Sequence, residues 1–199
     1  MVNEENNQLI EWISRETLMQ GFFSIEKVRF KHGMFNGGMS PELNWYLLKR
    51  PDAVCAVVVN RDREVLYLVR QFRLGIAEKG DPAWAIELAA GVVDADETHD
   101  TAIIRELREE LGFEVEHVQL IQKIFPSPAF LSERIFLYYI EVTDSQRISD
   151  GGGTEHEHED LQILEVPLSE LKTFLKTHAN IDAKTLYGLA WFIAGKGLS

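Results

Sequence analysis

Between Gly91 and Phe113 the chain reads GVVDADETHDTAIIRELREELGF, which sets Asp94, Asp96, Glu97, Asp100, Glu106, Glu109 and Glu110 against Arg105 and Arg108 alone. Ile103, Ile104, Leu107 and Leu111 recur at helical spacing, so the segment is predicted to be a helix with one flank in a core. At about 100° per residue, Ala102, Glu106, Glu109 and Glu110 fall on the neighbouring flank. Like charges three and four residues apart destabilise an isolated helix, and a divalent cation would remove that repulsion. Carboxylate oxygens with no Cys nearby favour Mg²⁺, with Mn²⁺ as a substitute, over zinc. Arg105 precedes Glu109 by one turn and is placed to hold it, while Gly112 is placed to stop the helix in a left-handed cap. The bland alternative is a solvated acidic face.

A chain of 199 residues is long enough for one domain with a substantial core, and 45% hydrophobic with 26% charged residues is the balance of an ordinary globular protein. A net charge of -12 argues against binding a nucleic-acid backbone, which calls for a basic stripe. It leaves room for a phosphorylated small molecule, because a bound cation reverses the local field. Cys55 is the single cysteine and lies in the apolar run AVCAVVV, so a packing role is expected. No apolar run reaches membrane-spanning length and MVNEENNQ lacks the features of a signal peptide, so no membrane association and a cytoplasmic location are expected.

Residues 1–20 carry a weak amphipathic pattern and are expected to form a short helix or an arm. FFSIEKVRFKHGMF and LNWYLLK, around Asn36-Gly37-Gly38, are expected to form two antiparallel strands that need a further partner. The division expected is residues 1–51 as an N-terminal arm with antiparallel strands, and 52–199 as the main domain. In the latter, Ala53 to Val59, Glu64 to Gln71, Trp84 to Ala90, Val115 to Phe125, Ile135 to Val142 and LQILEV read as strands. Leu168 to Lys176 and Ala183 to Ala194 read as helices. This order implies an α/β domain with a mixed sheet. Phe22, Phe23, Trp45, Tyr46 and Trp84 are expected in cores rather than as base-stacking platforms.

Three further places carry chemistry. Gly151-Gly152-Gly153 precede Glu155, His156, Glu157, His158, Glu159 and Asp160, a mobile root from which acids would swing toward a substrate, or else a plain solvated loop. Its alternating His and Glu are a weak zinc pattern. Arg73, after a strand end, has the donor fork that grips phosphate, or it forms a surface ion pair. Glu133 and Arg134 form either a surface pair or a site where Glu133 accepts sugar hydroxyls.

The fixed positions Gly91, Glu97, Arg105-Glu106-Leu107, Glu109-Glu110 and Gly112-Phe113 are similar at every place to the Nudix box, GX5EX7REUXEEXGU with U bulky and apolar. Chance agreement is on the order of 10⁻⁹ per starting residue. With VRQFRLG, WAIELAAG, SPAFLSER, EHEDLQILEV and IDAKTLYGL, the chain resembles the branch of Nudix hydrolases that contains ADP-ribose pyrophosphatase and GDP-mannose hydrolase. The resemblance implies a Nudix α/β/α sandwich and an N-terminal antiparallel subdomain that makes a homodimer. It implies metal binding by Glu106 and Glu110, assisted by Glu109 and the Ala90 carbonyl, with Gly91, Glu97, Arg105 and Gly112 supporting the motif. It implies water activation by Glu157, with Glu159 as the fallback, a phosphate contact at Arg73 and a ribose contact at Glu133. The activity implied is Mg²⁺-dependent hydrolysis of a nucleoside diphosphate sugar, ADP-ribose first, GDP-mannose second. A non-catalytic ADP-ribose sensor is the alternative of a different class.

Overall fold

The computed structural model describes residues 9–154 and 160–196. The chain divides into two compact units, one of residues 1–51 with 127–133 and one of residues 52–126 with 134–199.

The first unit is a three-stranded antiparallel sheet of β1 (Ile10–Gln20), β2 (Ser24–His32) and β3 (Leu43–Lys49), with β2 central. Of residues 1–20, expected to form a short helix or an arm, residues 1–8 lie outside the described residues and Ile10–Gln20 is a strand. Register shifts between Trp12 and Ser14 and between Thr17 and Met19 break its two-residue period, which hides the strand from a pattern reading. Every residue of β1 is exposed. Phe22, Trp45 and Tyr46 are 73%, 52% and 60% exposed, and Phe23 also lies at the surface, so these aromatics are not core residues. The segment SPAFLSE completes this unit by lying against β3, where the Leu48 N–H donates to the Phe130 carbonyl at 2.8 Å and the Ser132 N–H to the Leu48 carbonyl at 3.0 Å.

The second unit is a mixed α/β sandwich. Its sheet is built from β4 (Ala53–Asn60), β5 (Val65–Phe72), β6 (Trp84–Glu87), β7 (Ala89–Val92), β8 (Gln119–Ile124), β9 (Ile135–Val142) and β10 (Gln162–Pro167). The order is β10-β5-β4-β9-β8, with β4 and β9 parallel and the other pairs antiparallel. Its helices are α1 (Leu74–Ala77), α2 (His99–Glu106), α3 (Leu171–Thr177) and α4 (Ala183–Trp191). β4 is apolar from Ala53 to Val59 because both of its faces are covered. Val54, Ala56 and Val58 join Ile103, Leu107, Leu111 and Phe113 in one core, whereas Cys55, Val57 and Val59 join Leu88, Leu137, Leu189 and Phe192 in the other. Among the described residues no helix is long and apolar enough to cross a membrane.

The third expected strand of this unit is broken in a way that matters for the site. β6 pairs with β5, and β7 pairs with β4, so the chain changes partner at Leu88. The Leu88 N–H, buried at the break, donates to Thr185 Oγ1 of α4 at 2.8 Å. That bond satisfies a group that would otherwise be buried without a partner, and it ties the change of partner to the C-terminal helix. Trp84, at the start of β6, is exposed. The strand expected from Val115 begins only at Gln119.

Candidate active site

Thr98 opens α2 with a capping box: its hydroxyl accepts from the Thr101 N–H, and the Thr101 side chain returns to the Thr98 N–H. After Glu106 the helix widens into a π-turn over Leu107–Leu111, ended by Gly112 at φ 75. Such wide turns are common at functional positions because they rotate side chains out of α-helical register. Here the turn carries Glu109 and Glu110.

The three acids of this flank differ in exposure, and two of them are not part of a solvated face. Glu106 and Glu110 are buried, 6% and 2% exposed, while the Glu109 side chain is 33% exposed. Both buried acids face β7. The Ala90 N–H donates to Glu110 Oε2 at 3.0 Å. Gly91 lies against the carboxylate of Glu106 so closely that a Cβ at residue 91 would overlap it. The glycine that opens the motif is thus set by the need to admit a carboxylate.

Arg105 organises the flank. Nε and Nη2 donate to the two oxygens of Glu97 at 2.9 and 3.0 Å, and Nη2 also reaches the Val92 carbonyl at 3.1 Å. Nη1 donates to Glu106 Oε1 at 2.8 Å and Glu109 Oε2 at 3.0 Å. Five bonds match the five donors of a guanidinium. The Glu97 bonds are the chief reason the Arg105 pKa lies well above its ordinary value, and the same contact lowers that of Glu97. Among the described residues no three His, Cys, Asp or Glu side chains converge as a metal site in this arrangement. What β7 and the flank offer is a set of oxygen donors alone, the chemistry suited to a hard divalent cation.

The glycines at 151–153 are joined by hydrogen bonds to the end of the acidic helix. All three have positive φ, of 67, 102 and 89°. The Gly152 and Gly153 N–H groups donate to the carbonyls of Glu110 and Glu109 at 2.9 and 3.1 Å, and the Ile148 N–H donates to the Gly112 carbonyl at 2.8 Å. These bonds satisfy the last carbonyls of the helix, which have no partner within it. A groove of about 790 Å³ runs between this strap and α2, with Arg105, Arg108, Glu109, Asp150 and Gly151 in its walls.

The NUDIX domain family matches residues 49–189, a span that takes in β7, the acidic helix, the strap and most of α4. The chain belongs to the NUDIX domain family. The Nudix chain is 29% identical over 182 residues to the ADP-ribose pyrophosphatase of Escherichia coli K12, covering 92% of this chain and 87% of that protein. It is 30% identical over 189 residues to the ADP-ribose pyrophosphatase of Haemophilus influenzae, covering 94% and 87%. It is 30% identical over 181 residues to the GDP-mannose pyrophosphatase of Citrobacter koseri, covering 90% and 93%. A crystal structure of an ADP compounds hydrolase matches the fold with a TM-score of 0.72 at 21% identity, over 94% of this chain and 95% of that one.

The other residues expected in this Nudix enzyme's site fall in different places. Glu157 and Glu159 lie outside the described residues. Glu133 is buried in the first unit and paired with Arg50 at 3.1 Å, and Arg134 instead holds Asp52 of the second unit, so Glu133 and Arg134 are not partners. Arg73 is neither isolated nor at a loose surface pair. Its Nε and Nη2 donate to Glu87 Oε1 and Oε2 at 2.6 and 2.7 Å. The Glu87 bonds are the main reason the Arg73 pKa is raised, and Glu110 contributes to the same field.

Two residues of this network had no signal in the sequence pattern. Glu87 is 3% exposed, and its second partner is Lys184 of α4, buried and 2.5 Å from Glu87 Oε2. Burial alone would raise the Glu87 pKa, but the Arg73 bonds and the Lys184 charge outweigh it and bring it down to about 2. Burial likewise opposes the charge of Lys184, and Glu87 and Asp182 overcome it. WAIEL and IDAK read as strand and helix-start sequence, and their acid and base meet only in the folded chain.

Proposed function

We propose that this Nudix hydrolase cleaves the pyrophosphate bond of a nucleoside diphosphate sugar, with ADP-ribose as the substrate and AMP and ribose 5-phosphate as products. The observation that carries the reading is the convergence of Glu106 and Glu110 on the Ala90–Gly91 end of β7, with Arg105 bridging Glu106 to Glu109. Acids held this firmly are preorganised rather than recruited, which suits a reaction whose catalysis is mostly positioning and charge stabilisation. The relatives support the substrate class, since ADP-ribose pyrophosphatases and a GDP-mannose pyrophosphatase each align over most of the chain.

Glu106, Glu109, Glu110 and the Ala90 carbonyl are the groups that would hold Mg²⁺, or Mn²⁺ in its place. Bound there, the cation supplies neutralisation of the diphosphate oxygens and polarisation of phosphorus. Arg105 keeps Glu106 and Glu109 at fixed positions despite their mutual repulsion, and its ties to Glu97 and Val92 anchor it to the loop before α2. Arg73 presents the edge of its guanidinium that Glu87 does not occupy to a phosphate. Glu157, with Glu159 as the fallback, takes the proton of the attacking water. Glu133 accepts a sugar hydroxyl. The exposed β1, with Trp12, Leu18 and Met19 at its surface, supports a homodimer formed through the N-terminal strands.

The second substrate reading, GDP-mannose, is favoured by the similarity to the Citrobacter koseri enzyme. Purified protein with Mg²⁺ and a panel of nucleotide sugars, followed by phosphate released on phosphatase treatment, separates the two. The expected outcome is highest kcat/KM on ADP-ribose, with Glu110→Gln reduced about 100-fold or more. Faster turnover of GDP-mannose reassigns the sugar. Equal rates from wild type and Glu110→Gln remove the metal-site assignment.

A further inference from the structure

Arg73 has two of its three nitrogens committed before any substrate arrives. Nε and Nη2 are on Glu87, and Nη1 has no partner among the described residues. A bidentate carboxylate fixes the guanidinium plane, but ordinarily it also cancels the charge, which leaves a poor attractor for phosphate. In this site the carboxylate is shared. Lys184 Nζ donates to Glu87 Oε2 and to Asp182 Oδ2, both at 2.5 Å. The four side chains form a chain Arg73–Glu87–Lys184–Asp182 with two positive and two negative charges, and its inner members are almost fully buried: Glu87 is 3% and Lys184 9% exposed. Stability alone is a weak reason for such a chain, because a buried ion pair is often no better than well-packed apolar residues of the same volume.

We propose that Lys184 is a positioning residue for the diphosphate: by sharing the charge of Glu87, it lets that carboxylate orient Arg73 without cancelling it. Asp182, at the outer end, sets how much of the Lys184 charge reaches Glu87. The inference rests on the reading of Arg73 as a phosphate contact and adds what keeps Arg73 effective in that role. Its consequences have opposite signs. Lys184→Met leaves two carboxylates facing one guanidinium, so the field at the phosphates weakens. Asp182→Asn removes one of the carboxylates and strengthens that field, and Asn remains a good helix cap in place of the Asp182 side chain that accepts from the Thr185 N–H.

The test is steady-state hydrolysis of ADP-ribose with Mg²⁺ by the full chain and its variants. Arg73→Ala is expected to raise KM. Lys184→Met is expected to raise KM about tenfold with a much smaller change in kcat, the scale of one charge acting on a near neighbour in a protein interior, and Lys184→Arg to recover most of it. Asp182→Asn is expected to lower KM about twofold to threefold and to have no effect on KM when Arg73 is already Ala. If Lys184→Met does not fold, Asp182→Asn and its double variant with Arg73→Ala decide. An unchanged KM in Arg73→Ala removes the phosphate contact and this inference with it. A raised KM in Arg73→Ala, with KM unchanged or raised in Asp182→Asn, overturns the inference alone. If ADP-ribose is not turned over, the substrate reading fails, and the same variants are compared on GDP-mannose.

Discussion

Gly91 and Glu106 are packed so tightly that the space a Cβ would fill at residue 91 is taken by the Glu106 carboxylate. The first glycine of the motif and its central acid are therefore one structural unit, although fifteen positions separate them. Gly91→Ala is expected to displace Glu106 and lower kcat/KM about 100-fold, the cost of roughly 1 Å of misplacement in a preorganised site. Circular dichroism should show the fold retained. Near wild-type activity would mean that the Glu106 position is not the one used in turnover.

Arg105 spends all five of its donors on Glu97, Val92, Glu106 and Glu109. Lysine keeps the charge but has no fork, so Arg105→Lys leaves several of these acceptors without a partner. The expected loss is about 1–3 kcal/mol of stability in urea unfolding and a fall in kcat larger than any rise in KM. A variant with wild-type kcat would show that charge alone suffices at this position.

Gly151 has φ 67, and a Cβ there would overlap the backbone of Glu110 and Leu111. Gly151→Ala is expected to cost about 1–3 kcal/mol and to lower turnover, because the turn bearing Glu109 and Glu110 must shift. Gly38 is the control: its φ is 81, but a Cβ meets nothing within 4 Å, so Gly38→Ala should carry only the conformational cost of about 1–2 kcal/mol and leave turnover in place. Equal effects of the two variants on turnover would dismiss the strap as a positioning element.

Glu87 titrates at about 2 in the folded chain against an ordinary 4.5, so the folded form holds its proton less tightly than the unfolded form. Its contribution to stability is complete above pH 4.5 and is lost as pH falls toward 2, by about 3 kcal/mol at the limit. Urea unfolding of wild type and Glu87→Gln across that range should show the stability difference in favour of wild type shrinking with acid. A difference independent of pH would show that Glu87 contributes through shape rather than charge.

The acidic helix was legible because its design is local. Apolar spacing, the Gly112 stop and the Arg105–Glu109 pairing all follow from helical geometry within a few turns, and the structure keeps them. The apolar run Ala53–Val59 was legible as a strand covered on both faces for a similar reason: composition alone reports burial on two sides. β1 was not legible, because its two register shifts erase the alternation that marks a strand. The contact of Gly151–Gly153 with the helix end was not legible, because glycine is used both where a chain is loose and where a helix end must be approached closely, and the hydrogen bonds that mark the second use join distant residues.

From sequence alone came the Nudix spacing, the helix that bears it and the oxygen-rich character of its acids, all properties of neighbouring residues under a fixed backbone geometry. Tertiary structure alone decided that Glu106 and Glu110 turn toward β7 while Glu109 stays at the groove, and that Glu87 is shared between Arg73 and Lys184. Glu87 and Lys184 are 97 positions apart. Their charges become each other's concern only after the sheet and α4 have removed both from water, and no local pattern records which distant group will then be in reach.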